Sequence, residues 1–108
     1  MITDRWYILD RQNRVVPVDM LTWAHWLESA NKHRQVNRTT ISQDVFVSTV
    51  FIGLDHRFSG DGPPLIFETL IFGGPLDGEM WRYSSWDDAE TGHKAAVRKA
   101  RAAQKART

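Results

Sequence analysis

The sequence predicts a single α+β domain: a mixed or antiparallel sheet of about four or five strands packed against two helices, in the order β-β-α-β-β-β-α. Three observations carry this expectation. Two apolar runs rich in β-branched and aromatic residues, VFVSTVFI (45–52) and LIFETLIF (65–72), flank a loop rich in Gly and Pro. Apolar stripes at helical spacing follow Asp19 and Ser85. The chain has 108 residues, enough for one domain with one core.

The elements follow in order. Trp6–Leu9 and Val15–Val18 are short apolar runs around the polar stretch 11–14, which predicts a strand pair. Pro17 cannot donate to a ladder, so its strand belongs at an edge. Asp19 has the chemistry of a helix N-cap, with Val18 and Trp23 placed for a hydrophobic staple. Met20, Trp23, Ala24, Leu27 and Ala30 then form one stripe, predicting a helix to about Asn31. Residues 31–44 are polar and read as a connection, with at most a short strand near Thr40.

The two central runs read as neighbouring strands. Val45, Val47, Thr49 and Phe51 fall on one side, and Phe46, Ser48, Val50 and Ile52 on the other. Both faces are largely apolar, which predicts central positions. Their connection, Asp55 to Pro64, is longer than an ordinary hairpin loop and projects from the sheet. Gly73-Gly74-Pro75 ends the second strand. Met80–Tyr83 predicts one more short strand. Ser85 predicts an N-cap, with Asp87, Asp88 and Glu90 suited to the start of a helix. That helix should run from Trp86 to about Lys105 on a narrow stripe of Trp86, Ala89, His93, Ala96, Val97 and Ala100. Gly92 inside it costs about 1 kcal/mol relative to Ala, which points to close packing at that position.

Composition narrows the function classes. The net charge is +1, so no overall field argues for nucleic acid. The absence of cysteine removes disulfides and thiol chemistry and accords with a reducing cytoplasm. No signal-like or membrane-spanning run is present, so neither export nor a membrane partner is expected. The sequence holds no HExxH, EF-hand, GxSxG, P-loop or GxGxxG pattern, and His25, His33, His56 and His93 are scattered. The expectation is a protein without metal, cofactor or catalytic apparatus.

Three groups of residues are candidate binding sites. Lys94, Arg98, Arg101 and Lys105 share one face of the last helix, suited to phosphates or an acidic protein, or simply to water. Asp55, His56 and Arg57 sit together at the end of a central strand, where they could contact an anion or serve the turn. Glu68 interrupts an apolar strand and needs either a cation such as Arg82 or a cleft. His93 on the apolar stripe reads as a hydrogen-bonded core histidine.

WYIL near the start, VPVDMLTWA, VSTVFIGLDHRF, GPPLIFETLIFGGPLD and the closing RYSSWDDAETGH resemble a group of small proteins encoded by tailed bacteriophages. The resemblance runs from about Trp6 to Val97 and is most specific in VSTVFIGLDH and LIFETLIFGG. It implies synthesis in an infected bacterial cytoplasm and carries over no catalytic or binding residue. Small phage proteins of this kind often act by binding something of the host. The leading expectation is a non-catalytic accessory protein that binds a host or defence protein through exposed tryptophans, the long loop or the basic helix. Two alternatives stand beside it. One is a homo-oligomer that sequesters a nucleotide, its cations on phosphates and a Trp or Tyr on the base. The other is a weak nucleic-acid binder using the last helix. An enzyme built on Glu68 and His56 is the least favoured reading.

Overall fold

A computed structural model describes residues 5–55 and 62–107. The chain runs β1 (Trp6–Leu9), β2 (Val15–Val18), α1 (Met20–Ser29), α2 (Asn31–Arg34), β3 (Gln35–Ser42), β4 (Val45–Phe51), β5 (Phe67–Phe72), β6 (Met80–Tyr83) and α3 (Trp86–Arg107). The architecture is α+β, and the sheets are antiparallel throughout. One sheet has the order β3-β4-β5-β6; β1 and β2 pair as a separate ribbon.

The ribbon extends the main sheet beyond the end of β4. The Tyr7 amide donates to the Gly53 carbonyl at 2.7 Å, and the Asp55 amide to the Arg5 carbonyl at 3.0 Å. Gly53 has φ +70°, and a Cβ there would lie 2.6 Å from the Tyr7 carbonyl oxygen, so only glycine lets β1 approach this closely. Pro17 is exposed on β2, which among the described residues pairs only with β1, as an edge proline should. Asp19 caps α1, its carboxylate accepting from the Thr22 amide at 2.8 Å.

α1 meets the stripe expectation in part. Trp23 lies against Trp6, with ring centroids 4.8 Å apart, and Trp26 meets Phe51 edge-on at 5.6 Å. Met20, however, is exposed, as is Leu21 beside it. The helix packs on a two-stranded ribbon, which is too narrow to cover its first turn. It stops at Ser29, and Asn31–Arg34 form a separate single turn.

The stretch expected to be a connection is instead an eight-residue strand. β3 pairs with β4 from Gln35↔Val50 to Ser42↔Val45, with irregularities near Val36 and Ile41. As an edge strand it faces solvent on one side and one flank, so a polar composition suits it.

β4 and β5 are the central strands, as expected, and pair from Phe46↔Phe72 to Phe51↔Phe67. Val45, Val47, Thr49 and Phe51 are buried against α3, together with Phe67, Thr69 and Ile71. Each large apolar side chain buried here contributes roughly 1.5–3 kcal/mol. Among the described residues, no helix covers the opposite face. Phe46, Ser48, Val50, Glu68 and Leu70 stay half-buried, and Phe72 and Met80 are exposed. Apolar residues on both sides of β4 and β5 therefore report central positions but not two covered faces.

α3 begins at its expected cap, the Asp88 amide donating to Ser85 Oγ at 3.1 Å. Ala89, His93, Ala96, Val97 and Ala100 are buried on the sheet, and Trp86 is half-buried. Gly92 lies under the Tyr83 ring, where a Cβ would collide with the ring atoms. Most of the buried apolar residues fall into two clusters. Phe51, Ile66, Phe67, Ala89 and Leu9 make one, and Val47, Ile71, Ala96, Val97 and Ala100 the other. Thr49, Thr69 and His93 occupy the intervening positions on β4, β5 and α3 and form a polar layer across the core.

Candidate functional site

The basic face of α3 borders a cleft along β3. The cleft has a volume of about 360 Å³; Asn37 and Thr39 line it from β3, and His93, Lys94, Arg98 and Arg101 from α3. Val97 completes the lining, and no carboxylate of the described residues takes part. Helical geometry explains the grouping. Positions 94, 98 and 101 are spaced by four and three, so their side chains emerge on the flank of α3 that overhangs β3. β3 contributes because it is the edge strand: Thr39 points toward α3, and Asn37 sits beside the irregularity near Val36.

His93 forms the floor. It is 1% exposed, and both ring nitrogens are engaged, Nδ1 with Thr49 Oγ1 at 2.7 Å and Nε2 with Thr39 Oγ1 at 2.8 Å. This is the hydrogen-bonded core histidine that the sequence suggests. Burial away from water lowers its pKa from the ordinary 6.5, favouring the neutral imidazole.

The cleft thus combines three long cations with a side-chain amide and a hydroxyl. Guanidinium groups offer paired N–H donors that match phosphate oxygens, and Lys94 adds a point charge. Chemically the arrangement can neutralise and hydrogen-bond an anion. Lys105, expected with the other three cations, is exposed one turn beyond Arg101 and does not line the cleft. Asn37 and Thr39 were missing from the sequence reading because residues 31–44 read as a connection.

The other candidates fall elsewhere. Glu68 faces Arg82 directly across β5 and β6, with Oε2 accepting from Nε at 3.2 Å. The pair lies on the open face and is partly exposed, so Glu68 has a structural partner worth about 1 kcal/mol or less. The Asp55 carbonyl accepts from Arg5 Nη2 at 3.1 Å, tying the base of the long loop to the strand beside it. His56 and Arg57 lie outside the described residues. None of the five tryptophans is exposed; all are half-buried, which corrects the expectation of tryptophans free to dock.

The rings and the cations are also separated. Trp81 and Tyr83 line a smaller apolar niche of about 220 Å³ with Gly92, Ala95, Ala96 and Lys99. It lies on the β6 flank of α3, opposite the basic cleft. Among the described residues, no Trp or Tyr therefore joins the cations of the cleft. A third hollow, of about 350 Å³, lies between the β1–β2 turn and the start of α3; Arg14, Asp87 and Glu90 all line it, so it has no single sign of charge.

Among the described residues no cluster of three or more His, Asp or Glu side chains is placed to hold a metal ion. No helix of the described residues is long and apolar enough to cross a membrane. Compared with protein-family models, with curated proteins and with solved structures, the chain matches none.

Proposed function

We propose that this is a non-catalytic binding protein that holds a phosphorylated small molecule, such as a nucleotide, in the cleft between β3 and α3. One observation carries the reading: Lys94, Arg98 and Arg101 converge with Asn37 and Thr39 on one cleft that no carboxylate of the described residues lines. Surface cations with a purely solubilising role have no reason to share a hollow with neutral hydrogen-bonding groups. Because the aromatic rings lie on the other flank, recognition within one copy rests on the phosphates rather than on a base. The resemblance to small phage proteins supplies a setting, the cytoplasm of an infected bacterium, where sequestering a phosphorylated signal would serve the phage.

A thermal-shift panel of nucleoside mono-, di- and triphosphates tests this reading. A ligand at about a hundred times its Kd stabilises by about 2.7 kcal/mol, a rise of several degrees for a chain of this size. The expected order is triphosphate above diphosphate above monophosphate, with the effect abolished by Arg98→Glu combined with Arg101→Glu. No stabilisation by any phosphate at millimolar concentration would retire the proposal.

A second reading, docking of a host or defence protein, is favoured by the open sheet face. Phe46 and Phe72 stack there with centroids 4.5 Å apart, and the Arg38 guanidinium lies 4.1 Å above the Phe46 ring. An aromatic pair with an arginine is the residue chemistry that dominates protein interfaces.

A further inference from the structure

The floor of the cleft is the outer end of a hydrogen-bonded chain that starts in the core. Thr69 Oγ1 lies 2.5 Å from Thr49 Oγ1, which lies 2.7 Å from His93 Nδ1; His93 Nε2 lies 2.8 Å from Thr39 Oγ1. Thr49 and Thr69 are fully buried, whereas Thr39 is half-buried and lines the cleft. A neutral imidazole carries one N–H and one lone pair. The chain can therefore run in only two directions.

In the first, Nδ1–H donates to Thr49, and Thr49 donates to Thr69. The Thr69 proton then has no acceptor, because its hydroxyl has no other partner among the described residues. In the second, Thr69 donates to Thr49, Thr49 donates to Nδ1, and Nε2–H donates to Thr39. Every buried proton now has an acceptor. The one hydroxyl proton left over belongs to Thr39, where the cleft is. A buried donor without an acceptor is costly, so the second direction is the stable one.

Resting on the phosphate reading of the cleft, we infer that Thr39 is a ligand-contacting hydrogen-bond donor, its direction imposed by the buried chain Thr69–Thr49–His93. The ligand atom it meets is a hydrogen-bond acceptor, an oxyanion of a phosphate group. The Nε2–H donation consumes acceptor capacity on Thr39 Oγ1 and leaves its hydrogen for the ligand. The cleft then offers donors at every polar position except the Asn37 carbonyl, and it discriminates against ligands that present N–H or O–H groups at that point.

The test combines ¹⁵N NMR of the imidazole rings with titration by inorganic pyrophosphate, using the full chain. The expected tautomer of His93 is Nε2–H. Thr39→Val should weaken pyrophosphate binding about tenfold or more, the scale of a lost hydrogen bond to a charged group, while Thr39→Ser keeps it. Thr69→Val leaves the Thr49 proton no acceptor but Nδ1 and should keep the Nε2–H tautomer while the fold persists. An Nδ1–H tautomer in the unsubstituted protein overturns the inferred direction even if pyrophosphate binds. Unchanged affinity in Thr39→Val, with binding lost in Arg98→Glu, overturns the ligand contact alone. No pyrophosphate binding to the unsubstituted chain instead removes the phosphate reading and the ligand role of Thr39 with it, and the tautomer still decides the direction of the chain.

Discussion

Gly92 shows how one residue sets the distance between α3 and β6. Its missing side chain is where the Tyr83 ring lies. In an open helix, replacing Gly by Ala gains about 1 kcal/mol. Here Gly92→Ala must displace the ring, and a net loss of about 1–3 kcal/mol is expected from denaturant midpoints. In a Tyr83→Ala background the same substitution should instead stabilise, by about 1 kcal/mol, because the obstruction is gone. His93 gives a second residue-scale outcome. Burial lowers its pKa, so the unfolded chain binds this proton more readily than the folded one. The stabilisation is complete above about pH 6.5 and is lost as pH falls from there through the folded value. Urea midpoints measured from about pH 7 to about pH 5 should fall, with a shallower slope in His93→Gln. Close packing at Gly92 was legible from the cost of a glycine inside a helix, and the core position of His93 from helical spacing, which put it on the buried stripe. The link from His93 to Thr39 was not, since it spans 54 positions of sequence.

At the scale of elements, α3 was legible from cap to stripe because its signals are local. Ser85, the acids after it and five small or apolar positions all lie within one helix. β3 was not legible. QVNRTTIS has apolar residues only at Val36 and Ile41, and the two ladder irregularities break the alternation that would have revealed a strand. Its β-branched pair Thr39-Thr40 was the one local hint. α1 is the least anchored of the longer elements, with no buried residue between Met20 and Ser29. It relies on the Trp23 and Trp26 contacts and on the Asp19 cap. Asp19→Ala should cost about 1 kcal/mol. Hydrogen exchange should show the loss as faster exchange across α1, with the amides of α3 unchanged.

For the whole molecule, the main consequence is that the described residues cover the sheet on one side only. The shortest principal dimension is 19 Å, room for a sheet and one layer of helix. The alternating runs at 45–52 and 65–72 correctly placed two strands side by side but could not say how many layers exist, because half-buried phenylalanines look like buried ones in sequence. Phe72→Ser on the open face should cost only about 1 kcal/mol in stability. If a host protein docks there, the same substitution should abolish its capture from infected-cell lysate; capture that survives both Phe72→Ser and Arg38→Glu would rule out that face.

The polar layer between the two apolar clusters also determines where α3 can rest. Sliding the helix one turn along the sheet would set Ala89 or Val97 against the hydroxyls of Thr49 and Thr69 and push an imidazole among greasy neighbours. No such penalty attends the observed seat. The imidazole works as a locating pin: it gives a helix of mostly interchangeable alanines one address on the sheet, and it keeps the cations above Thr39 instead of a turn away.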